Sequence, residues 1–417
     1  MKSVEKVAAS LAHKGGPVPI DFGSNAVTGM HITCVEALRR HYGLDQHPVK
    51  VIEPYQMLGE IEEDLKQALG VDVEGVWPES TIFGYRNSSW TPWKTPWGQE
   101  VLMSGEFRFQ HEGDSVFVYA EGDTRFPPSA QMPGGGYFFD TIVRQGAFDD
   151  ENPSVDDNLQ EFGPVTDRTL AHFAAEAARA RATGRAVLAN FGGTALGDIA
   201  LVTGPMLPQP RGIRDVTEWY VSTVSRQDFV RELFDRQTRL AVENLAKLKG
   251  AVGDQVEAVF LCGTDFGTQS SQFCSVQTFE EVWAPYYRRM NDWIHANTSW
   301  KTFKHCCGAI LPLLPSLIEA GFDIINPVQC SATGMDPQVL KKQFGAKVVF
   351  WGGGVDTQQV LPFGTPAQVR TQVLERCRIF SREGGFVFDA IHNVQAKTPV
   401  ENIVAMVDAV HEFNLKG

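Results

Sequence analysis

From about residue 165 to the end of the chain, short β-rich apolar segments alternate with longer stretches whose apolar residues recur at helical spacing. No other feature restricts the fold as much. The strand segments are Ala186–Phe191, Val256–Leu261, Trp300–Lys304, Asp323–Asn326, Lys347–Trp351 and Phe386–Phe388. The helical stretches are Asp167–Ala182, Arg226–Lys247, Phe279–Ala296, Leu311–Ala320, Pro337–Phe344, Pro366–Arg382 and Pro399–Glu412, several opening at or just after Asp, Ser, Thr or Pro. A helix between two strands returns the chain to the end it left, so the strands pair in parallel. With Pro17–Phe22 and Val71–Trp77 as two earlier strands, the pattern predicts a (β/α)8 TIM-type barrel built by 1–417 as a single domain.

Tyr85–Asp140 interrupts that rhythm. It holds Trp90, Trp93 and Trp97, a segment reading as a hairpin (Gly98–Met103 against Gly105–His111, then Ser115–Ala120) and a loop rich in Pro and Gly. The region 85–140 is expected to be a β-rich insertion on a βα loop, lying over the mouth of the barrel as a lid or packed on its side. Its tryptophans read as core of the insertion or as an aromatic wall.

In a parallel barrel the chemistry sits beyond the C-terminal strand ends. Here the strands are mostly apolar and nearly all their ends polar. They run into Asp21-Phe-Gly-Ser, Asn190-Phe-Gly-Gly, Cys262-Gly-Thr-Asp265-Phe-Gly-Thr-Gln269, His305-Cys-Cys307-Gly308, Pro327-Val-Gln329-Cys330, Gly352-Gly-Gly-Val-Asp356 and Asp389-Ala-Ile-His392-Asn393. Folding alone does not require that segregation. His305 and Cys307, one residue apart at a strand end, can face the same side of a turn, and imidazole and thiolate are favoured zinc ligands. His392 is the third candidate, with Cys330 competing for the place; either cysteine can equally be a small buried filler. Asp265 and Asp356 are candidates for acid, base or orienting roles, or simply for turn formation. Asp21, Gln269, Gln329 and Asn393 are candidates for holding substrate.

The 417 residues are 43% hydrophobic and 21% charged, enough for a sizeable core, with a formal net charge of −13. An acidic chain without a basic run argues against nucleic acid and anionic membrane surfaces as partners. Seven scattered cysteines, no apolar leader and no run of about 18 apolar residues make the expected setting the cytoplasm, with no membrane association.

Several motifs together resemble the uroporphyrinogen decarboxylase superfamily. They are His305-Cys-Cys-Gly-Ala-Ile-Leu-Pro, Glu319-Ala-Gly-Phe-Asp-Ile-Ile-Asn-Pro-Val-Gln, Gly334-Met-Asp-Pro, Trp351-Gly-Gly-Gly-Val-Asp-Thr-Gln and Thr398-Pro-Val-Glu-Asn-Ile. The resemblance is closer to the methylcobalamin-dependent methyltransferase-like branch than to the haem-pathway decarboxylases. It implies a distorted barrel and one of two chemistries. One is decarboxylation of a tetrapyrrole or smaller carboxylate. The other is methyl transfer at a zinc ion held by His-x-Cys and a distant cysteine. His305 and Cys307 match that pair, and His392 stands where the distant cysteine falls. The arginine-rich N-terminal segment of the decarboxylases has no counterpart between Pro17 and Arg40, and Asp45-Gln-His47 is not followed by the glycine of a corrinoid-binding segment. A corrinoid would therefore arrive on a separate protein. The superfamily also implies a homodimer; a non-catalytic corrinoid or porphyrin carrier is the reading from another class.

Overall fold

The computed structural model describes residues 1–146, 148–151 and 153–416. Its centre is a seven-stranded, wholly parallel sheet. In chain order the strands are β1 (Val73–Val76), β2 (Ala186–Ala189), β3 (Ala258–Cys262), β4 (Lys301–His305), β5 (Ile324–Asn326), β6 (Val349–Trp351) and β7 (Phe386–Val387), and each pairs with the next. The strands are short and buried along nearly their whole length, as a sheet covered on both faces demands. Helices flank it where their start signals place them. Thr166 caps Asp167–Ala182, Asp336 caps Pro337–Phe344 and Thr365 caps Pro366–Phe380, the last two with proline in the first turn.

The sheet curls. Ile20 bridges in parallel to Phe388 beyond β7, and the same segment reaches the other edge: Asp21 N–H donates to Phe388 O at 2.9 Å and Asp72 N–H to Ile20 O at 2.7 Å. Pro17–Phe22 supplies this single bridge rather than a full eighth strand. Inside the curl, one apolar cluster takes a side chain from every strand, among them Val73, Leu188, Ala258, Phe303, Ile324, Trp351 and Val387. Val7, on the helix Ser3–Leu11, joins it from one end. The interior is thus packed, which leaves the strand ends as the place for a site.

Two sequence expectations need correction. The stretch Phe279–Ala296 is two helices, Val276–Val282 and Ala284–Asn297, because Pro285 in the first turn of the second cannot continue the hydrogen-bond ladder of the first. The hairpin of Gly98–Met103 with Gly105–His111 does not form. Glu100–Met103 pairs antiparallel with Thr91–Lys94 and parallel with Val49–Glu53. The reversal lies earlier, at Thr95–Gly98, where Gly98 takes φ +89°. Beyond Met103, Gly105 N–H donates to Ser88 O, and the chain leaves that sheet. Phe109–Glu112 then begins a separate antiparallel sheet with Ser115–Val118, Ala130–Met132 and Asp140–Thr141. Trp93 is core between Phe107 and Phe109, while Trp97 stacks on Tyr137 at 4.7 Å.

Candidate metal centre

β4 ends at His305, and the next three residues form a turn held from both sides. Cys306 N–H donates to Asn326 O, Cys307 N–H to Asp265 Oδ1 at 2.6 Å, and Gly308 N–H to Gln329 Oε1 at 2.8 Å. Gly308 has φ +92°, and a Cβ there would lie 2.4 Å from the Gly267 carbonyl carbon. Only glycine lets the turns after β3 and β4 approach this closely.

On this turn His305 Nε2 and Cys307 Sγ stand 3.4 Å apart. The His392 ring lies 5.5 Å from that of His305, and one ligand atom from each of His305, Cys307 and His392 falls within 4.8 Å of the others. Two asparagines orient the imidazoles. Asn326 Nδ2 donates to Trp351 O, so its Oδ1 is the atom facing His305 Nδ1, at 2.6 Å. An acceptor there requires the proton on Nδ1, which leaves the Nε2 lone pair aimed at Cys307. His392 repeats the arrangement: its Nδ1 lies 2.9 Å from Asn393 Oδ1, while Asn393 Nδ2 donates to Ala26 O and Gln56 Oε1. Gln395 Nε2 donates to the same Asn393 oxygen. Burial pushes His305 down to about 4, so its ring is neutral. Burial, with the Asp265 carboxylate beside it, pushes the Cys307 thiol well above its ordinary value. Two imidazole nitrogens and a buried thiol, which gives up its proton to a bound cation, are a zinc-type donor set.

The other candidates divide. Asp265 belongs to the centre, 4.0 Å from His305 Nε2. Gln329 Nε2 donates to Gln269 Oε1, and Gln269 Nε2 to Ser331 O, so the glutamines brace the turn. Asn393 holds the His392 ring rather than standing free. Asp356 caps its own loop, accepting from Gln358 N–H at 2.8 Å. Asp21 is fully buried, accepts from Ser24 Oγ and Trp351 Nε1, and is pushed up to about 6 by burial. It is closed off from any substrate in solution. Cys330 is not brought to the group. It lines a separate cavity of about 470 Å³ with Met335, Asp336, Glu375 and Arg376.

The sequence reading passed over four side chains that the structure places around the centre. Asn326 orients His305. Lys304 is a fully buried cation whose Nζ donates to Thr264 O and His305 O. Asp198 is held up to about 6 by burial and then by Asp265. Tyr220 feels Asp265 as well. For Lys304 the visible signal was a lysine directly before His305 at the end of a strand.

A curled parallel α/β sheet with convergent ligands at its C-terminal strand ends defines a class of barrel-like proteins whose sites are built from loops. The family can then be stated. The family model described as uroporphyrinogen decarboxylase (URO-D) matches residues 205–413, and the chain belongs to this family. Among curated relatives, the uroporphyrinogen decarboxylase of Coxiella burnetii (strain RSA 493 / Nine Mile phase I) is 25% identical over 92 residues, 21% of this chain and 25% of that protein. That of Actinobacillus succinogenes is 33% identical over 89 residues, 20% and 24% of the two. The chain thus spans about a quarter of the length of the curated relatives it matches. A solved methyltransferase from Methanosarcina mazei shares the fold over 99% of both chains, with a TM-score of 0.54 and 13% identity. No helix among the described residues is long and apolar enough to cross a membrane.

Proposed function

We propose that this chain is a zinc-dependent, corrinoid-linked methyltransferase or demethylase, with His305, Cys307 and His392 as the metal ligands and the seven strands plus the Ile20 segment as the staves of one barrel. The observation that carries the reading is the convergence of one ligand atom each from His305, Cys307 and His392 within 4.8 Å of one another, with the Nδ1 of each imidazole held by Asn326 or Asn393. The separation of 3.4 Å between His305 Nε2 and Cys307 Sγ fits two ligands of one tetrahedral zinc, for which bond lengths imply roughly 3.4–3.8 Å. Three protein ligands leave a fourth position for substrate. Zinc there would lower the pKa of an acceptor thiol, making a thiolate available to take a methyl group.

The chain's own residues then hold and orient. Asn326 and Asn393 fix the tautomers, and Asp265 anchors the Cys307 amide. Gln329 and Gln269 keep the turn from opening. The methyl carrier would be a corrinoid on a partner protein, and the β-rich region 85–140 would cover the mouth. The alternative is a carboxy-lyase acting on a tetrapyrrole or small carboxylate. It draws support from the names of the curated relatives, but such a substrate needs cations around it.

The test is metal content of the purified protein and of Cys307→Ala, alongside methyl transfer from methylcobalamin to a thiol. About one zinc per chain in the parent and none in the variant is the expected result. Absence of zinc from both would overturn the metal-centred reading.

A further inference from the structure

Beside the triad, with Asp265 as the shared wall, lies a cavity of about 210 Å³. Five aromatic side chains line it, Trp219, Tyr220, Phe266, Phe273 and Trp283, among small and hydroxyl-bearing residues. Tyr220 and Phe273 stack with centroids 5.0 Å apart. Phe273 and Val224 are 44% and 72% exposed, so the mouth opens between them. The Asp265 side chain keeps 23% of its surface exposed. No lining residue is Lys, Arg or His. Lys304, whose Nζ lies 5.1 Å from the centroid of the Phe266 ring, is fully buried and already donates to two backbone carbonyls. The Tyr220 hydroxyl is buried and has no hydrogen-bond partner among the described residues.

These features select a ligand by charge. Aromatic faces carry negative potential and attract cations, above all methylated ammonium groups, and a carboxylate at the inner wall adds to the pull. A carboxylate or sulfonate would meet Asp265 with no cation lining the cavity to receive it. The volume lies below that of drug-sized pockets, so the guest is small. The unpartnered Tyr220 hydroxyl can donate to an oxygen carried by it.

We propose that this cavity holds the tail of the thiol acceptor, and that the acceptor is a small aminothiol bearing a methylated ammonium cation. Its sulfur lies at the His305–Cys307–His392 group, and its nitrogen lies between Asp265 and the Tyr220–Phe273 wall. The identification of a thiol acceptor rests on the zinc reading above; the charge selectivity of the cavity does not.

Titration calorimetry on the metal-free protein separates the two. The probes are choline, its neutral carbon isostere 3,3-dimethylbutan-1-ol, and the anion 2-hydroxyethanesulfonate. Choline is expected to bind about tenfold tighter than the isostere, and the anion not at all. Phe273→Leu, at a half-exposed position that folding tolerates, should bring choline down to the level of the isostere; Val224→Trp, at the mouth, should block both. Equal binding of choline and isostere, or no response to Phe273→Leu, overturns the proposal. Choline selectivity in a protein that takes up no zinc would keep the cation site and remove the metal-centred reading. Zinc uptake without that selectivity would do the reverse.

Discussion

Cys307 and Cys330 each stand a few residues beyond neighbouring strands of one parallel sheet. Burial raises both thiols, Cys330 to about 12. On residue type, position and burial they are near equals. What separates them is the direction in which the next turn carries the side chain. The turn after β4 is pinned on one side by Asp265 and on the other by Gln329, and it sets Cys307 facing two imidazoles. The turn after β5 folds back on itself, with Cys330 N–H donating to Val328 O, and sets its thiol among Met335, Asp336 and Arg376. A cysteine at a strand end becomes a ligand only where other lone pairs converge on it.

Cys307→Ala should abolish zinc binding, a loss of more than about 100-fold, whereas Cys330→Ala should leave it unchanged. Metal analysis with a competing chelator reads both, and equal losses would erase the distinction between the two turns. Next in size, Asn326→Ala should weaken zinc binding by roughly 10- to 100-fold by freeing the His305 ring, while Asn326→Asp, which keeps the acceptor, should recover most of it. Wild-type affinity in Asn326→Ala would show that the amide does not set the tautomer.

Glycines extend the contrast to stability. Gly308→Ala should cost roughly 3–4 kcal/mol, because positive φ is compounded by overlap with the Gly267 backbone. Gly334, in the loop beyond Cys330, also has positive φ, but a Cβ there meets only a Leu311 methyl at 3.7 Å, so Gly334→Ala should cost about 1 kcal/mol. Urea unfolding of the two variants compares them directly. Smaller than the cost at Gly308, and set by pH, is the effect at Asp21, a strand end belonging to neither turn. Its carboxyl keeps its proton to about pH 6 in the folded chain, whereas the unfolded chain releases it near pH 4. Between those values the unfolded state binds fewer protons, so this group's contribution to stability falls as pH rises. Asp21→Asn escapes that loss. Relative to the parent it should gain progressively from pH 4 to 6 and end about 2 kcal/mol more stable above pH 7, after allowance for one lost hydrogen bond. A pH-independent difference would show that Asp21 is ionised throughout.

Local chemistry made much of the fold legible in the sequence. Asp167–Ala182 and Pro337–Phe344 fall where their caps and apolar spacing put them. The strands sit within the apolar runs because a doubly covered sheet accepts little else. The hairpin of Gly98–Met103 with Gly105–His111, by contrast, was expected from local pattern, and the decision against it was made by the tertiary contact of Gly105 with Ser88 that no local pattern carries. At the site, His305, Cys307 and His392 could be named because imidazole and thiol are rare and chemically specific. Their orienting asparagine Asn326 could not, since an amide at a strand end has no spacing signature. Nor could the choice between His392 and Cys330 be read from residue type, because it depends on loop direction, which has no period.

The seam at Ile20 also bears on the order in which the centre can be assembled. Ile20 is made early and its partner Phe388 late, and His392 follows just after that partner. In the proposed centre a nascent chain would therefore carry only two of the three ligands, His305 and Cys307, until the final strand docks against the first segment. Metal acquired by the incomplete chain would be held loosely and exchange freely, and its retention would begin only when the sheet closes.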